Sequence, residues 1–318
     1  MFTLRSCRKA ALMLLIGLVS SSLLAAETNI VPVAGHEKAQ TIAQPRVYAH
    51  DQLLYSTVSA SSSEPHSKQV AAEARRKRHN RKPRRQKRNN KKAAAISWVT
   101  LQQWYPGSFV IGGPRNIRKV ALTFDDVPDP RYTPKVLEIL ARYRVRATFF
   151  VVGSRAVKHP AIVRRMRREG HIIGNHSYDH AVFSRISLSS FQQQIMRTDA
   201  ILRPLAGHSP RLVRPPYGEI LPGQIEWLRS RGFIVVNWDV DSVDWRGINS
   251  NSILINIKKT LQPGSIILQH AGGGAGQDLT GTIKALPRLI KLLQDKGYEI
   301  VPLPELINKP AARNTAKK

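Results

Sequence analysis

Strand-like and helix-like segments alternate along residues 96–318, which predicts an α/β fold of parallel βαβ units arranged as an open sheet or a barrel. Two sets of segments carry this expectation. Short apolar runs rich in β-branched and aromatic residues occur at residues 120–124, 147–152, 171–174, 212–214, 233–238, 265–269 and 299–303. Between them, stretches with helical periodicity span residues 133–143, 156–169, 188–205, 222–230, 251–260 and 283–296.

A third observation concerns where the chemistry falls. Asp125 and Asp126 directly follow the first run, His176 and His180 the third, Arg214 to Gly218 the fourth, Asp239 to Trp245 the fifth, and His270 the sixth. All are at carboxyl ends of expected strands, the face on which α/β barrels build active sites, so residues distant in sequence are expected to converge there.

Composition bounds the rest. The chain has 318 residues with 50 Lys+Arg against 21 Asp+Glu, a formal charge of +29, and 42% hydrophobic residues. That apolar content supports a sizeable core and excludes disorder along the whole chain, while the charge favours polyanionic partners. Arg5, Arg8 and Lys9 precede an apolar or small stretch at residues 10–24, and Ala25-Ala26 precede the first acid, Glu27. Residues 1–26 therefore read as a secretory signal peptide, with an uncleaved membrane anchor as the alternative. The single cysteine, Cys7, lies inside this segment, which excludes a disulfide framework, a thiolate nucleophile and a cysteine metal site in the exported protein.

Residues 27–95 show little periodicity and read as a disordered linker. Within it, residues 75–92 hold 12 Lys or Arg in 18 positions and no acid. Such a run is a solvated linker or a contact to an anionic cell-wall polymer or membrane surface; for an exported chain it does not point to nucleic acid. Residues 96–116 form a lead-in segment and residues 309–318 a basic tail. The protein is expected to be secreted or held at the cell surface, and to act as a monomer.

His176 and His180 in a His-x-x-x-His pair, with a strand-end carboxylate, supply two imidazoles and one oxygen donor, which suits Zn²⁺, Co²⁺ or another divalent ion with water in the open positions. Spaced histidines also satisfy ordinary hydrogen bonds, so the adjacent acids matter. Asp125 and Asp126 repel each other at a buried strand end unless they share a cation or hold a proton. Capping the helix near Thr133 is the plainer role, made awkward by Pro128, Asp129 and Pro130.

Five segments together resemble, in order, the motifs of the polysaccharide deacetylases, also called the NodB homology domain or carbohydrate esterase family 4. They are Thr123-Phe124-Asp125-Asp126, His176-Ser177-Tyr178-Asp179-His180, Arg214-Pro215-Pro216-Tyr217-Gly218, Asp241-Ser242-Val243-Asp244-Trp245 and Leu268-Gln269-His270. The resemblance covers residues 117–308 and implies a distorted (β/α) barrel of about seven parallel strands. One departure is Val127, where the family usually has glycine after the Asp pair.

The resemblance also implies roles. Asp126, His176 and His180 hold the metal; Asp125 is the general base; Arg214 orients Asp125; the backbone N–H of Tyr217 receives the oxyanion; His270 is the general acid, with Asp241 keeping its imidazole charged and aligned; Leu268 and Trp245 line the acetyl pocket. The implied reaction removes N-acetyl groups from N-acetylglucosamine units of a glycan. Peptidoglycan is preferred because a basic exported chain is retained at an anionic wall. Chitin-type oligomers, acetyl xylan and a non-catalytic glycan-binding role are the alternatives. Plainer readings place Arg214 on the surface and Tyr217 and Trp245 in the core; His171, Asp179 and Asp239 receive no catalytic role, and Arg164, Arg165, Arg167 and Arg168 read as a solvated helix face.

Overall fold

Nine strands form one all-parallel sheet in the computed structural model, which describes residues 96–314. The expected signal peptide, the linker with its basic run, and the last four residues of the tail lie outside the described residues. The elements run α1 (Trp98–Trp104), β1 (Phe109–Val110), β2 (Lys119–Val127), α2 (Thr133–Tyr143), β3 (Thr148–Val151), α3 (Gly153–Lys158), α4 (Pro160–Arg168), β4 (Ile172–Asn175) and α5 (Leu188–Ala206). They continue with β5 (Leu212–Val213), α6 (Pro222–Ser230), β6 (Ile234–Val236), β7 (Val240–Asp241), α7 (Ser250–Thr260), β8 (Ile266–His270), α8 (Thr280–Asp295), β9 (Glu299–Ile300) and α9 (Leu303–Leu306).

All seven expected strands form. The two additions, β1 and β7, have two residues each, too few to show a pattern in sequence. The helix expected over residues 156–169 is instead two, α3 and α4, which meet at His159 with φ −132° and ψ 54°. Pro160 explains the break: it lacks an N–H to continue α3, and its fixed φ suits the first turn of α4.

Neighbouring strands follow the order β1-β6-β5-β4-β3-β2-β8-β7, with β9 beside the start of β2. Among the described residues no ladder joins β1 to β7, so the sheet curls into a half-barrel that stays open, the distorted barrel the motifs imply. Side chains of β2 alternate between its two faces. Val120, Leu122 and Phe124 enter a large outer core with Val136, Leu140, Leu286, Leu289 and Ile290 from α2 and α8. Ala121 faces the interior, packed with Phe150, Leu212, Ile234, Ile266, Leu303 and Leu306, so α9 plugs the amino-terminal end of the half-barrel. Thr123 and Asp125 continue this interior face towards the open, carboxyl-terminal end. Each fully buried Leu, Ile or Phe here contributes about 1.5–3 kcal/mol.

Val127 is part of this core. Its side chain is fully buried in the outer cluster and pairs in register with Val151. The backbone there is not in the left-handed region, so the conformation at position 127 does not require glycine.

Candidate active site

Strict alternation sends adjacent strand residues to opposite faces, yet Asp125 and Asp126 both serve the mouth of the half-barrel. A bulge makes this possible: the β2–β3 register shifts between Phe124 and Val127, and Asp126 adopts φ 64°. The strained backbone is held from outside. Arg155 Nη1 on α3 donates to the Asp126 carbonyl at 2.6 Å, and Ala271 N donates to the Asp125 carbonyl at 3.2 Å. Gly272 lies so close that a Cβ on it would sit 1.9 Å from the Asp126 carbonyl oxygen. Among the described residues, seven non-glycine residues have positive φ, and five of them, Asp126, Ser177, His180, Tyr217 and Val243, lie in the motif loops. Such strain gathers where surrounding structure fixes a site.

His176 follows β4, and a short loop returns His180 to it. Ser177 N donates to Asn175 Oδ1 at 3.0 Å, and His180 N donates to Ser177 Oγ at 2.8 Å. His176 Nδ1 meets the Arg214 carbonyl at 2.8 Å. A carbonyl only accepts, so the imidazole proton sits on Nδ1 and the Nε2 lone pair points to the site. Nε2 of His176 and of His180 lie 3.6 and 3.2 Å from Asp126 Oδ1. One ligand atom from each of the three residues falls within 4.8 Å of the others. Asp126 Oδ1 is buried with no hydrogen-bond partner. A buried, unbonded carboxylate oxygen facing two imidazole nitrogens is a donor set that fits a divalent cation. Burial, then the neighbouring His180, depresses the His176 pKa to about 3, which keeps it in the neutral form that ligates.

Arg214 is the largest fully buried side chain among the described residues, not a surface cation. Nη1 donates to Asp125 Oδ1 at 2.9 Å and to Thr123 Oγ1 at 2.8 Å; Nε and Nη2 donate to the carbonyls of Val236 at 3.1 Å and Asn237 at 3.3 Å. The guanidinium also lies 4.1 Å from the centre of the Phe150 ring. One residue thus orients Asp125 through its side chain and His176 through its carbonyl. Burial raises the Asp125 pKa while the Arg214 charge opposes the rise. A buried carboxylate with a raised pKa is a stronger base for a water proton than an exposed one.

His270 ends β8 directly beside Asp125, its register partner on β2. Here the structure corrects the sequence expectation. The carboxylate on His270 Nδ1 is Asp244, at 2.8 Å, not Asp241. Asp244 is itself buried, with Oδ2 accepting from His270 N at 2.8 Å and Thr282 Oγ1 at 2.8 Å. Asp241 instead accepts from Val243 N at 2.7 Å, closing a turn at whose end Val243 has φ 58°. Burial pulls the His270 pKa down, but the charge and hydrogen bond of Asp244, with the charges of Asp126 and Asp125, outweigh it and raise the value to about 9. His270 is therefore protonated at neutral pH.

Tyr217 lies at the mouth and not in the core: it is 51% exposed, has φ 59°, and its ring centre is 4.8 Å from that of His180. Leu268 is buried in β8, on the same strand face as His270. Trp245 follows Asp244, and its carbonyl accepts from Gln277 Nε2 at 2.9 Å. Two residues without an assigned role make contacts within the fold. His171 Nδ1 accepts from Ala147 N at 3.1 Å and its ring meets Phe149, while Asp239 accepts from Ile266 N at 2.7 Å and pairs with Arg115 at 2.9 Å. On α4, Val163 and Met166 are buried and Arg164, Arg167 and Arg168 face solvent.

Sequence reasoning missed the tether Asp244 and the supports Arg155, Thr123, Asn175 and Gly272. Asp244 and Thr123 had a signal, as members of their motifs; Arg155, Asn175 and Gly272 lie outside the motifs.

Residues 112–236 match the family model described as polysaccharide deacetylase. The chain is 42% identical over 210 residues to a peptidoglycan-N-acetylglucosamine deacetylase of Bacillus cereus, covering 66% of this chain and 76% of that protein. It is 36% identical over 204 residues to a chitooligosaccharide deacetylase of a Bradyrhizobium species, covering 61% and 93%. Among solved structures, that of the Bc1960 peptidoglycan N-acetylglucosamine deacetylase in complex with an N-hydroxybenzamide superposes with a TM-score of 0.63 at 42% identity, over 65% of this chain and 95% of that one.

Proposed function

This chain belongs to the polysaccharide deacetylase family, and we propose that it is a hydrolase removing N-acetyl groups from N-acetylglucosamine units of peptidoglycan, releasing acetate. One observation carries the reading: a buried base, Asp125, and a protonated acid, His270, flank a three-residue cluster with the donors of a divalent metal site. Asp126, His176 and His180 would hold the ion, Zn²⁺ by the chemistry of the donors. When bound, it supplies Lewis acidity towards the acetamide carbonyl and acidifies coordinated water.

The chain's own groups perform the remaining tasks. Asp125, fixed by Arg214, takes a proton from the attacking water. Arg214 stays charged throughout, so it orients the carboxylate without competing for that proton. His270 delivers its proton to the departing sugar nitrogen, and Asp244 holds the imidazole ring and stabilises its charge. The Tyr217 backbone N–H serves as the oxyanion donor, and Leu268 and Trp245 flank the acetyl methyl.

The relatives' names support a peptidoglycan substrate first and chitin-type oligomers second. Export through residues 1–26 and retention at an anionic wall through residues 75–92 complete the proposal, with N-acetylated glycan as the partner. Among the described residues, no helix is long and apolar enough to cross a membrane. Acetate release from peptidoglycan, N-acetylglucosamine oligomers and acetyl xylan, with Zn²⁺ or Co²⁺ added, tests the reading. Peptidoglycan is expected to be the best substrate; equal release by wild type and Asp125→Asn on all three would overturn the enzymatic assignment and favour a glycan-binding role.

A further inference from the structure

Trp98 opens α1, ahead of the family-matched segment that starts at residue 112. Its indole Nε1 donates to the carbonyl of Gly218 at 3.1 Å, and Asn237 Nδ2 donates to the same oxygen at 3.1 Å. The indole also occupies the space beside Gly218, where an added Cβ would lie 2.3 Å from the ring. Gly218 follows Tyr217 directly, and the two have φ of 70° and 59°. Tyrosine does not keep a left-handed backbone unaided, so the turn depends on what fastens its neighbours.

That fastening is rigid. Leu101 and Tyr105 anchor α1 in a buried cluster with Phe183, Phe191 and Val213, and β1 pairs with β6 just beyond it. The Trp98 ring meets Trp238 edge-on at 4.9 Å, and Trp238 in turn lies 5.6 Å from the Arg214 guanidinium. The lead-in segment therefore braces both the Tyr217 turn and the arginine that orients the base.

We propose that Trp98 is a positioning residue which holds the Tyr217 backbone N–H in its oxyanion-binding place. The inference rests on the deacetylase reading of Tyr217. The test compares the wild-type protein with Trp98→Phe, which keeps a ring in the cleft and removes the donor, and with benzothienylalanine at position 98, which is isosteric with tryptophan and lacks the N–H. In the metal-free protein, amide hydrogen exchange at Gly218 and Glu219, whose N–H groups donate to the carbonyls of Pro215 and Pro216 and close the Tyr217 turn, should accelerate about tenfold in both variants while Val235 and Val236 do not change. With Zn²⁺ and N-acetylglucosamine oligomers, kcat should fall about tenfold, with KM, metal content and pH profile unchanged. Unchanged exchange at Gly218 and Glu219 overturns the inference whether or not the protein is active. A kcat loss accompanied by lost metal or raised KM overturns it as well, since that pattern marks general loosening. Wild-type protein that releases no acetate defeats the deacetylase reading instead.

Discussion

Replacing Asp244 with asparagine keeps the shape of the side chain and removes the charge that holds the His270 proton. In the wild type, burial alone would take His270 below 6.5, yet Asp244, with Asp126 and Asp125, raises it to about 9. The interval from 6.5 to 9 corresponds to about 3 kcal/mol of preference for the imidazolium. Asp244 contributes the larger part, because it combines a 2.8 Å hydrogen bond with full burial of its carboxylate. In Asp244→Asn the His270 midpoint, read by NMR of the labelled imidazole, should fall by about two pH units, and kcat at pH 8 by about tenfold, as the protonated fraction does. Asp241→Asn should move the midpoint by less than about half a unit, since Asp241 is bonded to Val243 N and not to the ring. Stability follows the same proton. A raised folded-state pKa contributes stability that is complete below pH 6.5 and lost as pH rises to about 9, so urea unfolding should show this decline in the wild type and little of it in Asp244→Asn. A larger midpoint shift in Asp241→Asn than in Asp244→Asn would refute the assignment.

Three further outcomes are expected. Arg214→Met leaves Asp125 buried and unpaired, which should cost about 3–5 kcal/mol in denaturant unfolding and abolish measurable acetate release. Gly272→Ala forces a Cβ against the Asp126 carbonyl, and calorimetry should show about 1–3 kcal/mol of destabilisation together with weaker Zn²⁺ binding. Zn²⁺ at about 100 times its Kd should stabilise the wild type by about 2.7 kcal/mol in a thermal shift assay, and His176→Ala should lose that response.

Much of this site is legible as residue types at strand ends. Asp125, Asp126, His176, His180, Arg214 and His270 announce themselves because carboxylates, imidazoles and a guanidinium are rarely placed at buried strand ends without a partner. Asp241 and Asp244 show the limit. Two carboxylates three residues apart are equivalent as text, and only the left-handed turn at Val243, which takes the chain out of β7, decides which one reaches His270. Val127 shows the opposite case: an unusual residue in the motif packs its side chain into the outer core, away from the candidate site.

The amino-acid sequence by itself determined the alternation of strands and helices, the face on which chemistry collects, and the residues proposed as base, acid and metal donors, because these depend on local periodicity and on side-chain chemistry. Tertiary structure alone decided the bulge that turns Asp126 beside Asp125, the burial that makes Arg214 a strut, the choice of Asp244 and the reach of Trp98 to Gly218. Those are contacts between segments far apart in the chain, Trp98 and Gly218 being 120 residues apart, and their geometry is set by how the sheet curls, which no local pattern records.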